Sequence, residues 1–339
     1  MFPTDTWYCV ARTNELSTQP IERIVCNEPI VFFRTAHSGD YVALENRCPH
    51  RQAPLSMGKV IGDEIMCSYH GWTMSKDGIC THVPHQDNVS PNAMVKRYPA
   101  IEKWGFVWIW MGDEAKADTT TIPDMPWLVA EDRSAVLSRF YVKANYQLMA
   151  DNLLDVSHSD FLHASSFGSQ AGKKGETAEV RQEMEVMTDN TSVRCVRTLR
   201  DVALSPMSAA WGGFTQNVTR THRQKWLPPN TVNIELIMEN SENRITINHD
   251  HIMTPETETS CHYLFAWTRD YNLEKGYPSD EDVRREQESV IGNEDVPMVE
   301  AQQRNKDRFG DPRDIPGQAD KFLTAVHKRI GELYGEHRH

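Results

Sequence analysis

The chain has no long hydrophobic run: its most apolar stretch, WGFVWIWMG (104–112), is far too short to cross a bilayer. It has no Lys/Arg-rich run either. With 36 basic against 48 acidic residues the net charge is −12, which leaves no electrostatic footprint for nucleic acid. The N-terminus, MFPTDTWYCVAR, lacks the charged and apolar regions of a secretory leader, so the cytoplasm is the expected location. No G-x-G-x-x-G follows a strand-like run, which argues against a dinucleotide site in this chain. No internal repeat is visible. The seven cysteines are an odd, scattered set that does not read as a disulfide framework. Cys9, Cys26, Cys195 and Cys261 are expected to be small buried hydrophobes.

What is present points to two domains of unequal size, since 339 residues exceed a typical single domain. Residues 1–112 are β-rich, with short apolar runs broken by Gly, Pro and Asp-Gly turn signals. Residues 113–140 are expected as a linker or transition, beginning with the polar DEAKADTTTIPDMPW. A second domain over 141–339 mixes both periodicities. NYQLMADNLLDVSHSDFLHASSFG is expected to be helical from about 145 to 163. SSFGSQAGKKGETAE (165–179) reads as a loop and a candidate lid. Strand-like runs fill 180–270, and charged, helix-like segments follow. The expected class is α+β.

Two short stretches carry ligand chemistry. NRCPHRQAPLS (46–56) holds Cys48 and His50, and MCSYHGW (66–72) holds Cys67 and His70. Two cysteines with two histidines are a legitimate tetrahedral zinc set. Zinc modules, however, usually pair Cys with Cys and His with His at short spacing. Here each loop carries one of each, C-x-H and C-x-x-H, with sixteen residues between. That suits a sulfide-bridged pair of irons, with both thiolates on one and both imidazoles on the other, as in a Rieske [2Fe–2S] cluster. Pro49 would stiffen the first loop, Gly71 would let the second close on the cluster, and Ser68 and Tyr69 could donate to sulfur. Cys80 and His82 form a rival C-x-H pair in the reverse order, and Cys80 reads instead as a buried residue.

CPHRQAPLSMG, CSYHGW and the later DNLLDVSHSDFLHASS together resemble the oxygenase component of Rieske non-haem iron oxygenases, in the subgroup of vanillate and dicamba O-demethylases. The resemblance runs over nearly the whole chain. It implies an all-β Rieske domain followed by a catalytic domain with an antiparallel sheet flanked by helices, helix-grip-like in form. Gln52 departs from the family, where a glycine commonly follows the arginine.

His158 and His163 lie five apart, roughly 140° around an ideal helix. They can meet at one metal only if the helix is distorted or ends between them. Two His and one carboxylate would make the facial triad of a non-haem Fe(II) oxygenase. The resemblance implies the pattern D-x-x-H-x4-H, matched by Asp155, His158 and His163, and a third ligand far downstream. Asp295, in VIGNEDVPMVEAQQRN, is the choice by position, with Glu294 as its rival. The resemblance gives Asp155 a separate role, bridging His158 to His70 of a neighbouring copy, and places Asn152 beside the iron. It implies a homotrimer with composite sites, because the two centres of one chain would be too far apart for electron transfer.

Asn233 and His251 are candidates for holding a substrate carboxylate or phenol. Met149, Leu154, Phe161, Phe167 and Trp211 are candidate apolar walls. The resemblance implies O2 as co-substrate, electrons from NADH through a separate reductase, possibly with a ferredoxin, and a small aromatic substrate. The expected reaction is O-demethylation of a methoxylated aromatic acid with release of formaldehyde. Ring or methyl hydroxylation and N-dealkylation remain open, as does a plain Rieske electron carrier. Neither nucleic acid nor membrane is expected as a partner.

Overall fold

The computed structural model describes residues 2–163, 166, 182–274, 276–310 and 314–335. The chain divides into two units. One comprises Phe2–Ile122 with Thr254–Thr257; the other comprises Pro123–Met253 with Glu258–His339.

The N-terminal unit is built from three small sheets, and among the described residues its only helical pieces are single 3-10 turns. Thr6–Arg12, Phe106–Met111 and Ala100–Lys103 form one sheet. Ile21–Val25, Glu28–Arg34, Tyr41–Glu45 and Arg97–Tyr98 form the second. Lys59–Ile61, Glu64–Met66, Thr73–Met74 and Cys80–His82 form the third. WGFVWIWMG is a strand whose residues from Phe106 to Met111 are all buried, which accounts for its unbroken apolar character. Cys48, Cys67 and Cys80 belong to one apolar cluster with Val31, Leu44, Leu55 and Ile65.

The second unit carries a seven-stranded antiparallel sheet. Its order is Ser134–Val142, Ser260–Arg269, Arg244–Thr257, Thr231–Glu239, Val218–Leu227, Val193–Val202, Gln182–Thr188. Except for the first, the strands follow one another as a meander. The first, Ser134–Val142, rises out of the stretch expected as linker and pairs with the last. An apolar layer that includes Trp211, Val218, Leu236, Met238, Ile245 and Trp267 lies on this sheet.

The helix expected over 145–163 is three pieces. Asn145 caps Tyr146–Leu154 by accepting from Gln147 N–H at 2.8 Å. The chain then turns extended at Asp155 (φ −105°, ψ 90°), makes a 3-10 turn over Val156–His158 and resumes as Ser159–Leu162. Downstream, Asp280–Val290 and Val296–Phe309 flank a π-helical turn, Ile291–Asp295. Val296 N–H reaches back to the Ile291 carbonyl, and Pro297 has no N–H with which to continue an α ladder. Among the described residues no helix is long and apolar enough to cross a membrane.

Candidate active site

Two side-chain groups, one in each unit, carry the chemistry. In the N-terminal unit the ligand loops are built alike. Cys48 N–H donates to Ala53 O and Cys67 N–H to Trp72 O, both at 2.8 Å. Each cysteine carbonyl then accepts from the residue four on, Gln52 or Gly71, at 3.0 Å. Those two residues are left-handed, with φ 63° at Gln52 and φ 74° at Gly71. Gln52 therefore lies within the first ligand loop, at the place glycine takes in the second. It meets a conformation that glycine adopts freely and other residues at a cost.

Both thiols are 2% exposed. The His50 and His70 rings lie edge to face at 4.5 Å, His50 stacks on Trp72 at 4.7 Å, and Tyr69 packs on His70 at 3.8 Å. Burial, and then the neighbouring His70, hold His50 below its ordinary value, toward the neutral form that ligation needs. Burial first, with a further push from the Cys67 thiol, raises the Cys48 thiol to about 11. Among the described residues, one group of three or more candidate ligands has its atoms within 4.8 Å of one another, and it is not this one. One Cys and one His in each of two loops is the donor set of a Rieske two-iron cluster.

The compact group is His158, His163 and Asp295. The chain passes from the 3-10 turn that ends at His158 to a single α turn, Ser159–Leu162, that ends before His163, so the two rings come within 5.1 Å despite their unfavourable spacing on one ideal helix. Asp295 is the last residue of the π turn. Its Oδ1 lies 3.5 Å from His158 Nε2 and 3.3 Å from His163 Nε2. Each imidazole is held by its outer nitrogen, His158 Nδ1 by the Asp155 carbonyl at 2.7 Å and His163 Nδ1 by Glu294 Oε2 at 2.6 Å. Two imidazoles presenting Nε2 inward, each anchored by an oxygen behind it, are the arrangement of metal-binding histidines. Burial opposes ionisation of Asp295, but the two histidines outweigh it and hold the carboxyl well below its usual range. A 2-His-1-carboxylate set of this kind suits Fe(II). Asn152 Nδ2 donates to Asp295 Oδ1 at 3.3 Å.

Glu294 thus backs the site and Asp295 faces it. The Asp155 carboxylate accepts from Ser157 N–H at 3.0 Å and from Ser157 Oγ–H at 2.8 Å, with Arg197 at 3.7 Å. Within the chain it is the carbonyl of Asp155, and not its carboxylate, that touches His158.

The triad forms one wall of a cavity of about 130 Å³. Strand alternation supplies the facing wall. His222, Ile234, Leu236, Ile247, His249 and His251 recur at intervals of two on three adjacent strands and share one sheet face. His251 lines the cavity; its Nδ1 meets Tyr263 Oη at 2.7 Å, and among the described residues its Nε2 has no partner. Asn233 does not line it. It sits one residue from Ile234, on the opposite face, and donates to Asp250 Oδ1 at 2.6 Å. Trp211 is a wall, Met149 and Leu154 are core, and Phe161 is 80% exposed. Phe167 and the 165–179 loop fall, apart from Ser166, outside the described residues. Arg220 and His222, also in the wall, were not singled out in the sequence. The polar alternation Arg220, His222, Gln224 within VTRTHRQKWL was the available signal.

Comparison with known proteins gives the same division. Residues 6–99 match the Rieske [2Fe-2S] domain, and residues 142–335 match the vanillate O-demethylase oxygenase C-terminal domain. The putative toluene-4-sulfonate monooxygenase system iron-sulfur subunit of Comamonas testosteroni is 33% identical, over 96% of this chain and 94% of its own. The vanillate O-demethylase oxygenase subunit of Pseudomonas sp. strain HR199 is 32% identical, over 90% of this chain and 87% of its own. The crystal structure of dicamba monooxygenase with non-heme iron and dicamba superposes with a TM-score of 0.82 at 27% identity, covering 97% of this chain and 96% of that one.

Proposed function

The chain belongs to the Rieske oxygenase components of the vanillate O-demethylase family, and from that premise we propose that it O-demethylates a methoxylated aromatic acid. The observation that carries the proposal is the joining of the His158–His163–Asp295 set to a mostly apolar cavity. At about 130 Å³ the cavity is close to the roughly 150 Å³ known to admit a benzene ring. We assign Cys48, His50, Cys67 and His70 to the cluster and His158, His163 and Asp295 to the mononuclear iron. The relatives are named as components or subunits of multicomponent systems, which supports electron delivery from NADH by a separate reductase.

When bound, the cluster supplies single electrons and the mononuclear Fe(II) supplies the O2 chemistry that places one oxygen atom on a methyl carbon. The resulting hemiacetal collapses to a phenol and formaldehyde. The second oxygen atom leaves as water, and NADH provides the two electrons. Glu294 and the Asp155 carbonyl keep a proton on each outer imidazole nitrogen, which fixes both Nε2 lone pairs inward. Ile234, Leu236, Met238 and Ile247 keep water from the reacting methyl group, and His251 Nε2 is available to the ring substituents. His70 is exposed at the tip of its loop, and the Asp155 carboxylate retains 24% of its side-chain surface. Both features support their meeting across two copies in a homotrimer.

A single-turnover assay tests the reading. The protein is reduced chemically, freed of reductant, and given O2 with a panel of methoxylated benzoates. Formaldehyde in proportion to active sites is the expected result. A hydroxylated product without formaldehyde would replace demethylation by hydroxylation, the reaction suggested by the toluene-4-sulfonate relative.

A further inference from the structure

Arg220 and His222 lie two apart on the Val218–Leu227 strand and both line the cavity. Arg220 Nε has no exposed surface and, among the described residues, no hydrogen-bond partner. Its partners across the neighbouring strands are Leu199 and Met238, both apolar. Asp160 acts on it only as a charge, against the like charge of Arg197. Arg220 itself is half-buried, and the fully buried arginines of the unit are matched: Arg197 has Asp155 at 3.7 Å and Arg269 has Asp280 at 2.5 Å. His222 is 6% exposed, and among the described residues neither ring nitrogen has a partner. Burial, and then Arg220, hold it well below its ordinary value, so the ring is neutral and carries one N–H to donate.

A partly buried guanidinium that Asp160 opposes only as a charge is under-compensated, and arginine cannot escape by losing its proton. An anion that enters the cavity would supply a direct partner. The remaining lining includes Trp211, Tyr263, Trp267 and Tyr271, which favours an aromatic body for that anion. We propose that Arg220, with His222 beside it, binds the carboxylate or sulfonate of the substrate, so that the site selects aromatic anions over neutral aromatics. This rests on the reading of the cavity as the substrate site and adds the group that anchors the substrate there. The guanidinium fork suits either oxyanion.

Calorimetric titration of the oxidised protein tests this without turnover. The probes are 4-methoxybenzoate and benzenesulfonate, each against its uncharged amide. The wild type is expected to bind at least one anion roughly tenfold or more tightly than its amide, and the anion that does so identifies the oxyanion. R220Q should weaken that anion by about 10- to 100-fold, the loss of a charge-assisted contact, and leave the amide within about twofold. R220K should recover part of the preference, and amide binding retained within about twofold certifies that the cavity is folded. Equal binding of anion and amide, retention of the preference in R220Q, or failure of both anions to bind would overturn the proposal. Arg220-dependent binding without formaldehyde would defeat the demethylase reading and leave this one standing. Formaldehyde from neutral aryl ethers, with no preference for charge, would do the reverse.

Discussion

Glu294 holds His163 from behind, with Oε2 2.6 Å from Nδ1. Its neighbour Asp295 approaches the same ring from the front, 3.3 Å from Nε2. Adjacent carboxylates reach opposite edges of one imidazole because successive residues of a helical turn diverge by roughly 100°. They should differ sharply under substitution. Asp295→Ala removes a ligand and should abolish iron binding. Glu294→Gln keeps all three ligands but weakens the one behind which it stands, and should cost about 10- to 100-fold in iron affinity. Iron titration of the stripped proteins distinguishes the two.

The two centres should be separable. Cys67→Ser should bleach the cluster absorption, and His163→Ala should leave that absorption intact while eliminating formaldehyde production. Absorption spectra beside single-turnover assays provide the check. An intact cluster spectrum in Cys67→Ser would contradict the ligand assignment.

Gln52 and Gly71 occupy equivalent left-handed positions, and their substitutions should behave differently. Gln52→Gly relieves about 1 kcal/mol of backbone strain, offset by lost chain entropy and by the Arg47 contact to Gln52 Oε1 at 3.0 Å, so thermal stability should change little. Gly71→Ala puts a Cβ 2.9 Å from Pro84 Cγ in a backbone conformation that alanine disfavours. Its cluster should bleach measurably faster on warming.

Asp250 is buried, and burial raises its pKa to about 7 against the hydrogen bonds from Trp127 and Asn233. The folded state therefore keeps a proton that the unfolded chain releases near the ordinary carboxyl value. The contribution to stability is complete at low pH and is lost as pH rises from about 4 through 7, by up to ~4 kcal/mol. Asp250→Asn should flatten the fall in melting temperature over that range. A wild-type slope retained in the variant would show that Asp250 is not its source.

Much of this was legible in the sequence, and the reasons differ by region. The cluster ligands are close in the chain and their spacing is chemically restrictive, so Cys48, His50, Cys67 and His70 could be named directly. His158 and His163 were legible as a pair, but not the change from a 3-10 turn to a single α turn between them that lets them converge. Asp295 was preferred to Glu294 by position only, because chemistry alone does not rank neighbouring carboxylates and their division depends on a π turn that hydrophobic periodicity does not report. The cavity wall was the least legible. Asn233 and His251 looked alike as polar strand residues, and only the register, which opposes Asn233 to Asp250, sends one outward and the other in. Arg220 was overlooked for a related reason: arginine on a strand ordinarily faces solvent.

The most direct test is a count of iron and acid-labile sulfide per chain in the wild type and in Asp295→Ala. Two separate centres require about three irons and two sulfides in the wild type, and about two of each in the variant. Zinc without sulfide in the wild type, or a third iron retained in Asp295→Ala, would contradict the account.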